Sequence, residues 1–312
     1  MQATIAGRPG APTRVLPLLD FVRLARPQQW QKNLLLYAGF LFSAGAAWSW
    51  RDIDGWIPLY LSATAAVWLF NLVSSGGYLV NDALDAERDR AHPRKRLRPV
   101  AAGRVAPLSA AVGGGAMLLV GIAGAAALAP AFGAAAAGYA ALALGYSLLL
   151  KRLVILDVIA VASGFALRAI AGALAIGVPI SPWLAACTLL GALFVAVTKR
   201  RQEVATLHEG AGRHRPVLRE YPEAVLDQIS SVALSATLVS YTLYATSAPT
   251  LPENHSMLLT LPIVLYGLFR YRLIAERDPE ANADELLVSD RPLLASVAAF
   301  AVVALVVLVA DR

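Results

Sequence analysis

Cysteine is almost missing from this chain. Cys187 is the single one in 312 residues, so a disulfide within the chain is excluded and thiol usage does not report the compartment. Charge is scarce as well: 15% of residues are charged against 58% hydrophobic, with a mean hydropathy of +0.59. That shortage excludes an ordinary water-soluble domain. No polar stretch is long enough to form a nucleic-acid-binding module, so the net charge of +6 and the pI near 9.6 do not point to nucleic acid. A small-residue cleavage site after the first apolar run is also lacking, and the basic leader of about 30 residues is too long for a secretory n-region. No cleaved signal is expected.

What is present is apolar chain gathered into runs. A bilayer core takes about 20 apolar residues per helix, and nine runs near that length lie at about 33–49, 56–80, 107–129, 131–150, 153–177, 181–198, 225–247, 255–275 and 292–310. Gly and Ala crowd several of them, as in GGGAMLLVGIAGAAALA, where small residues let helices approach closely in lipid. The fold class expected is all-α: a polytopic membrane bundle of about nine transmembrane helices. Residues 1–312 would form one catalytic domain, with 1–25 a flexible leader.

Basic residues set the orientation. If the nine runs are helices, all of the 27 Lys and Arg except Arg51, Arg168 and Arg312 fall on one side. Basic short loops stay in the cytoplasm, so the N-terminus is expected there and the C-terminus across the plasma (inner) membrane. Most of these charges, Lys151 and Arg152 included, read as topological contacts with anionic membrane lipids.

Two cytoplasmic loops, 81–106 and 199–224, are long. In the first, Asn81, Asp85 and Asp89 recur at every fourth position with Asp82 beside them, which places their oxygens on one stripe if the helix continues. Stacked carboxylates repel unless a cation sits among them. Mg²⁺ suits such a stripe, because it is held by one or two carboxylates together with substrate phosphates. The bland alternative is that the acids pair with Arg88, Arg90 and Arg94 on a solvated face. HPRKRLRP follows, with Lys95, Arg96 and Arg98 as phosphate ligands on a loop stiffened by Pro93 and Pro99; His92 reads as a loop residue.

The second loop opens TKRRQEVATLHEG, where Lys199, Arg200 and Arg201 add cations and Glu203 and Glu209 add few acids. Lys32 could reach the same face. Asp157 and Arg168, in the fifth run, are ionisable groups at membrane depth and hence candidates for ligand contact, too far apart to pair with each other. Tyr78, Tyr139 and Tyr146 read as core or interfacial aromatics.

NDxxDxxxD at 81–89, followed by Arg98-Pro99 and Gly103, resembles the first aspartate-rich motif of the UbiA superfamily of intramembrane prenyltransferases, and nine helices suit that fold. RPQQWQKN at 26–33, HPxKRxRP at 92–99, and LRAIAGA at 167–173 paired with TKRRQE at 198–203 look like one branch of it, phosphoribosyltransferases acting on decaprenyl phosphate. The second aspartate-rich motif typical of aromatic prenyltransferases is replaced by Lys199, Arg200, Arg201 and isolated glutamates. The resemblance implies transfer of 5-phosphoribose from phosphoribosyl diphosphate to a polyprenyl phosphate, feeding arabinan of the cell wall. It implies Mg²⁺ held by Asn81, Asp82, Asp85 and Asp89. Phosphates would be held by Lys32, Lys95, Arg96, Arg98, Lys199, Arg200 and Arg201, with Asn33, Asp157, Arg168 and Glu203 as further candidates. Two other readings are a prenyltransferase with an aromatic acceptor and a non-catalytic lipid-binding or transport protein. The sequence leaves open whether the chain forms a homo-oligomer.

Overall fold

The computed structural model describes residues 17–49, 51–92, 95–207, 216–278 and 289–310, and the regular elements in it are helices. A short helix α1 (Pro17–Ala25) is followed by a 3₁₀ helix (Pro27–Leu36) and α2 (Tyr37–Leu41). Then come α3 (Ile53–Leu84), α4 (Ala86–Arg90), α5 (Pro107–Leu128) and α6 (Pro130–Leu148). The second half holds α7 (Leu156–Ala175), α8 (Pro182–Leu207), α9 (Glu223–Ser247), α10 (Leu261–Arg277) and α11 (Arg291–Ala310). Among the described residues eight helical units are long and apolar enough to cross a membrane: α3, α5, α6, α7, α8, α9, the Ser256–Arg277 unit that contains α10, and α11.

The apolar run at 33–49 departs from the expected ninth helix. Its chain enters through Arg26, in the left-handed region at φ 52°, and Pro27, winds as a 3₁₀ helix to Leu36, and after α2 passes into turns as far as Trp48. Side chains hold it along α3 instead of a long α-helical ladder. Arg26 meets Asp82, Trp30 donates to Ser75, Asn33 donates to Asn71, Tyr37 pairs with Thr64, and Trp48 stands near Trp56. The segment therefore runs antiparallel to α3 over most of its length. It also presses on α7: a Cβ on Gly172 would fall 2.0 Å from the carbonyl oxygen of Leu36, so only glycine admits this approach.

Part of the expected leader is described, and it is helical. Residues 17–25 form α1, with Leu24 buried and Asp20 accepting from Arg104 at 3.1 and 3.2 Å; residues 1–16 lie outside the described part.

With 32 residues, α3 is about 48 Å long, well beyond a hydrocarbon core of about 30 Å. Asn81 and Asp82 lie in its last turns. It packs on α5 through facing glycines: a Cβ on Gly76 would lie 2.7 Å from the carbonyl oxygen of Gly114, and one on Gly114 would lie 2.8 Å from that of Gly76. Phe70, Val73, Phe132, Ala136 and Ala171 form the core where α3, α6 and α7 meet. A second core around Tyr244, Met257 and Leu308 ties α9 to α11.

Candidate active site

A cavity of about 770 Å³ opens where the C-terminal end of α3 meets α6 and α7. Asn81, Asp85 and Asp89 line it. The helix breaks at Asp85, yet the Asp85 amide still donates to the Asn81 carbonyl at 2.9 Å and the Asp89 amide to the Asp85 carbonyl at 2.8 Å. The stripe thus survives the break.

Cations ring these acids. Lys151, on the turn between α6 and α7, donates to both oxygens of Asp85 at 2.8 and 3.1 Å. Nη1 of Arg98 bridges Asp89 at 2.6 Å and Asp82 at 3.1 Å. Nη2 of Arg26 donates to Asp82 at 2.5 Å while its guanidinium lies 4.9 Å from the centre of the Tyr78 ring. Lys95 stands 4.0 Å from Asp89, and Lys32, Arg88 and Arg152 also line the cavity. Buried Asp82 is not part of that lining; its carboxylate serves as counterion to two arginines.

Among the described residues no three His, Cys, Asp or Glu side chains gather into a ready-made metal cage. The donor set still fits Mg²⁺. Asn81, Asp85 and Asp89 present hard oxygens to one cavity, and two carboxylates suit an ion that completes its shell with water and phosphate oxygens.

The inner part of the cavity is built around Arg168 on α7, whose side chain is only 5% exposed. Nε donates to Oδ1 of Asn33 at 2.7 Å, Nη1 to the Gly164 carbonyl at 2.8 Å, and Nη2 to the Tyr139 hydroxyl at 2.6 Å. Asn33 in turn donates to Asn71 and to Ser74 at 2.7 and 3.0 Å. Tyr139, Tyr146, Ser74 and Phe165 share the lining.

The sequence places Lys199, Arg200 and Arg201 with the phosphate ligands and Glu203 among the further candidates, but none of the four lines the cavity. The reason is that α8 runs unbroken to Leu207 and directs them elsewhere. Arg200, 5% exposed, donates to Asp157 at 2.8 Å and to Glu203 at 2.5 Å, and reaches Tyr146 at 3.4 Å. Arg201 pairs with Asp227 and Glu276 at 2.5 and 2.6 Å. Fully buried Asp157 also accepts from the Tyr221 hydroxyl at 2.6 Å, and that hydroxyl accepts the Ile155 amide at 2.6 Å. Burial pushes the Tyr221 phenol above the usual tyrosine range, and its bond to Asp157 adds to the shift. Arg96 is exposed and likewise stands outside the lining. Glu209, Pro93 and Arg94 lie outside the described residues.

The cavity also takes residues that read differently in the sequence. Lys151 and Arg152 read as topological charges, His92 as a loop residue, and Tyr78, Tyr139 and Tyr146 as core aromatics, yet all line it. The available signal was position, since Tyr146, Lys151 and Arg152 sit at the same end of the bundle as the acidic stripe.

Fold and site together define a class: a polytopic helical membrane protein with a carboxylate-bearing, cation-ringed cavity at one end of its bundle. Residues 36–296 match the model of the UbiA prenyltransferase family, and the chain belongs to that family. It is 30% identical over 304 residues, 94% of each chain, to a decaprenyl-phosphate phosphoribosyltransferase of Mycolicibacterium smegmatis. A protein of the same name from Corynebacterium glutamicum is 33% identical over 87% of this chain and 81% of its own. A solved structure of a UbiA homolog from Archaeoglobus fulgidus bound to GPP and Mg²⁺ shares the fold, with a TM-score of 0.71 at 20% identity over 93% of this chain and 99% of that one.

Proposed function

We propose that this protein transfers a 5-phosphoribosyl group from phosphoribosyl diphosphate to decaprenyl phosphate and releases diphosphate. Likeness over 94% of the chain to a protein of that name carries the reading. The charge balance of the cavity agrees with it: Asp85 and Asp89 are faced by Arg26, Lys32, Arg88, Lys95, Arg98, Lys151, Arg152 and Arg168. Two substrates that together bring a diphosphate and two phosphate monoesters need such an excess of cations.

In the reaction the bond from C1 of the ribose to the diphosphate oxygen breaks, and its electron pair leaves with the diphosphate. An oxygen of the lipid phosphate forms the new bond to C1. That oxygen is already anionic, so no general base is required. Mg²⁺, held by Asn81, Asp85 and Asp89, would stabilise charge on the departing diphosphate. Arg98, Lys95 and Lys151 bind and orient the phosphate groups, with Lys32 and Arg26 at the same mouth. Asp82 keeps Arg26 and Arg98 in place. The apolar tail of the acceptor lies against the lipid-facing side of the bundle.

The same reading makes residues 1–312 one catalytic unit in the inner (plasma) membrane. The cavity mouth and N-terminus face the cytoplasm and the C-terminus the far side, as the Lys and Arg distribution supports. The test is direct: purified protein, Mg²⁺, labelled phosphoribosyl diphosphate and decaprenyl phosphate should yield a labelled lipid. Product formed only from a prenyl diphosphate and an aromatic acceptor would establish the rival prenyltransferase instead.

A further inference from the structure

Arg168 presents an unusual balance of charge and hydrogen bonding. It lies twelve residues into α7, about 18 Å along the axis from the start of that helix, and is nearly buried. Among the described residues no carboxylate pairs with it; its hydrogen-bond partners are an amide oxygen, a backbone carbonyl and a phenol. The rings of Tyr139, Phe165 and Phe70 surround it at 4.6, 5.2 and 5.9 Å from the guanidinium carbon, offsetting part of the charge without supplying an anion. A buried cation lacking a counterion is strongly unfavourable at membrane depth unless it faces a water-filled or ligand-filled space. Arg168 lines the cavity.

The hydrogen-bond count specifies the ligand further. A guanidinium has five N–H groups, and three bonds are made, one from each nitrogen. One N–H remains on Nη1 and one on Nη2. Both remaining donors are on the terminal nitrogens, which bind phosphate or carboxylate through charge-assisted hydrogen bonds. Space is provided beside them by Gly164, where a Cβ would stand 3.5 Å from Nη1. The supporting shell of Asn33, Asn71, Ser74 and Tyr139 fixes the guanidinium so that little rotamer freedom is lost on binding.

We infer that Arg168 is the centre of a second anion subsite, inward of the Asp85 and Asp89 end, which takes a phosphate monoester while the mouth holds the diphosphate. The inference rests on the reaction proposed above, whose substrates supply two monoesters: the 5-phosphate of the donor and the phosphate of the lipid acceptor.

The full chain in detergent micelles is tested for equilibrium binding of three labelled probes, magnesium diphosphate, ribose 5-phosphate and decaprenyl phosphate. Arg168→Gln should weaken one monoester by about tenfold or more, the loss of charge-assisted hydrogen bonding, and change diphosphate binding by about twofold at most. Loss confined to ribose 5-phosphate assigns the subsite to the donor; loss confined to decaprenyl phosphate assigns it to the acceptor. Gly164→Ala keeps the charge and narrows the seat without a severe clash, so it should weaken the same probe even if Arg168→Gln does not fold. Unchanged monoester binding in the folded variants, or equal loss of diphosphate, overturns the subsite. Failure of the wild type to transfer label from phosphoribosyl diphosphate overturns the reaction and the subsite with it; transfer with unaltered monoester binding in the variants overturns the subsite alone.

Discussion

Lys151 and Asp85, 66 residues apart, form a two-point ion pair at the cavity mouth, with Nζ 2.8 and 3.1 Å from the two carboxylate oxygens. Both oxygens of the carboxylate that would hold the proposed Mg²⁺ accept from Lys151, so the lysine would compete with the metal for Asp85 and could bind a phosphate group instead. Lys151→Ala is expected to lower kcat about 100-fold, the loss typical of a donor aimed at developing negative charge. Steady-state transfer with purified variant checks it, and near-normal turnover would remove Lys151 from the site.

Asp85→Asn and Asp82→Asn should separate by phenotype. Asp85 lines the cavity, whereas Asp82 is the counterion of Arg26 and Arg98. The first variant should lose activity about 100-fold or more and need higher Mg²⁺ for what remains. The second should show its main deficit in thermal stability and donor KM. A Mg²⁺ titration of both variants decides, and matching metal dependence in the two would contradict this division.

Chelation should abolish transfer by the wild type, and added Mg²⁺ should restore it. Full activity in excess EDTA would remove the metal from the proposal. The acidic stripe offers only Asp85 and Asp89 as cavity carboxylates, so weak, reversible metal binding that strengthens with diphosphate present is the expected pattern.

Gly172→Ala should destabilise the bundle by about 1–3 kcal/mol or more, because its methyl group would overlap the Leu36 carbonyl at 2.0 Å and force the 3₁₀ segment off α7. Gly115→Ala, where an added Cβ meets nothing within 4 Å, is the matched control. Thermal melts in one detergent compare them; equal melting temperatures would contradict the packing.

Tyr221→Phe removes the hydroxyl that donates to buried Asp157 and accepts from Ile155. A loss of about 1–3 kcal/mol follows from leaving those groups short of a partner. The sign of the pH effect also follows. The folded phenol titrates above its unfolded value, so its stabilisation is complete below about pH 10 and is lost only as pH rises past that towards the folded value. Melting temperature against pH should therefore fall on the alkaline side in the wild type, and the fall should be shallower in Tyr221→Phe.

The bundle was legible because hydrophobic runs of bilayer length leave few alternatives, and the acidic stripe because every-fourth spacing survives the break at Asp85. The broken first crossing was not: apolar length does not distinguish an α-helix from a 3₁₀ segment pinned by Trp30, Asn33 and Tyr37. The role of Arg200 was hidden for a related reason. TKRRQE reads as a loop, whereas α8 continues through it and delivers Arg200 to Asp157, 43 residues earlier in the chain. Lys151 was hidden by the positive-inside pattern, in which a lysine that lines the cavity and pairs with Asp85 looks like a topological one.

The 3₁₀ winding of residues 27–36 sets a length. Arg26 attaches to Asp82 at the mouth and Asn33 to Asn71 beside the inner arginine, so seven residues on one strand of chain match eleven on α3. Seven residues of α-helix would cover about 10 Å, too short for the roughly 16 Å between those α3 positions, while the 3₁₀ rise of about 2.0 Å brings the same seven to about 14 Å. The stretched segment thus acts as a spacer bar with one end on each seat of positive charge. Rewinding it as α-helix would pull Arg26 away from Asp82 or Asn33 away from Asn71, and so change the spacing between the mouth and Arg168.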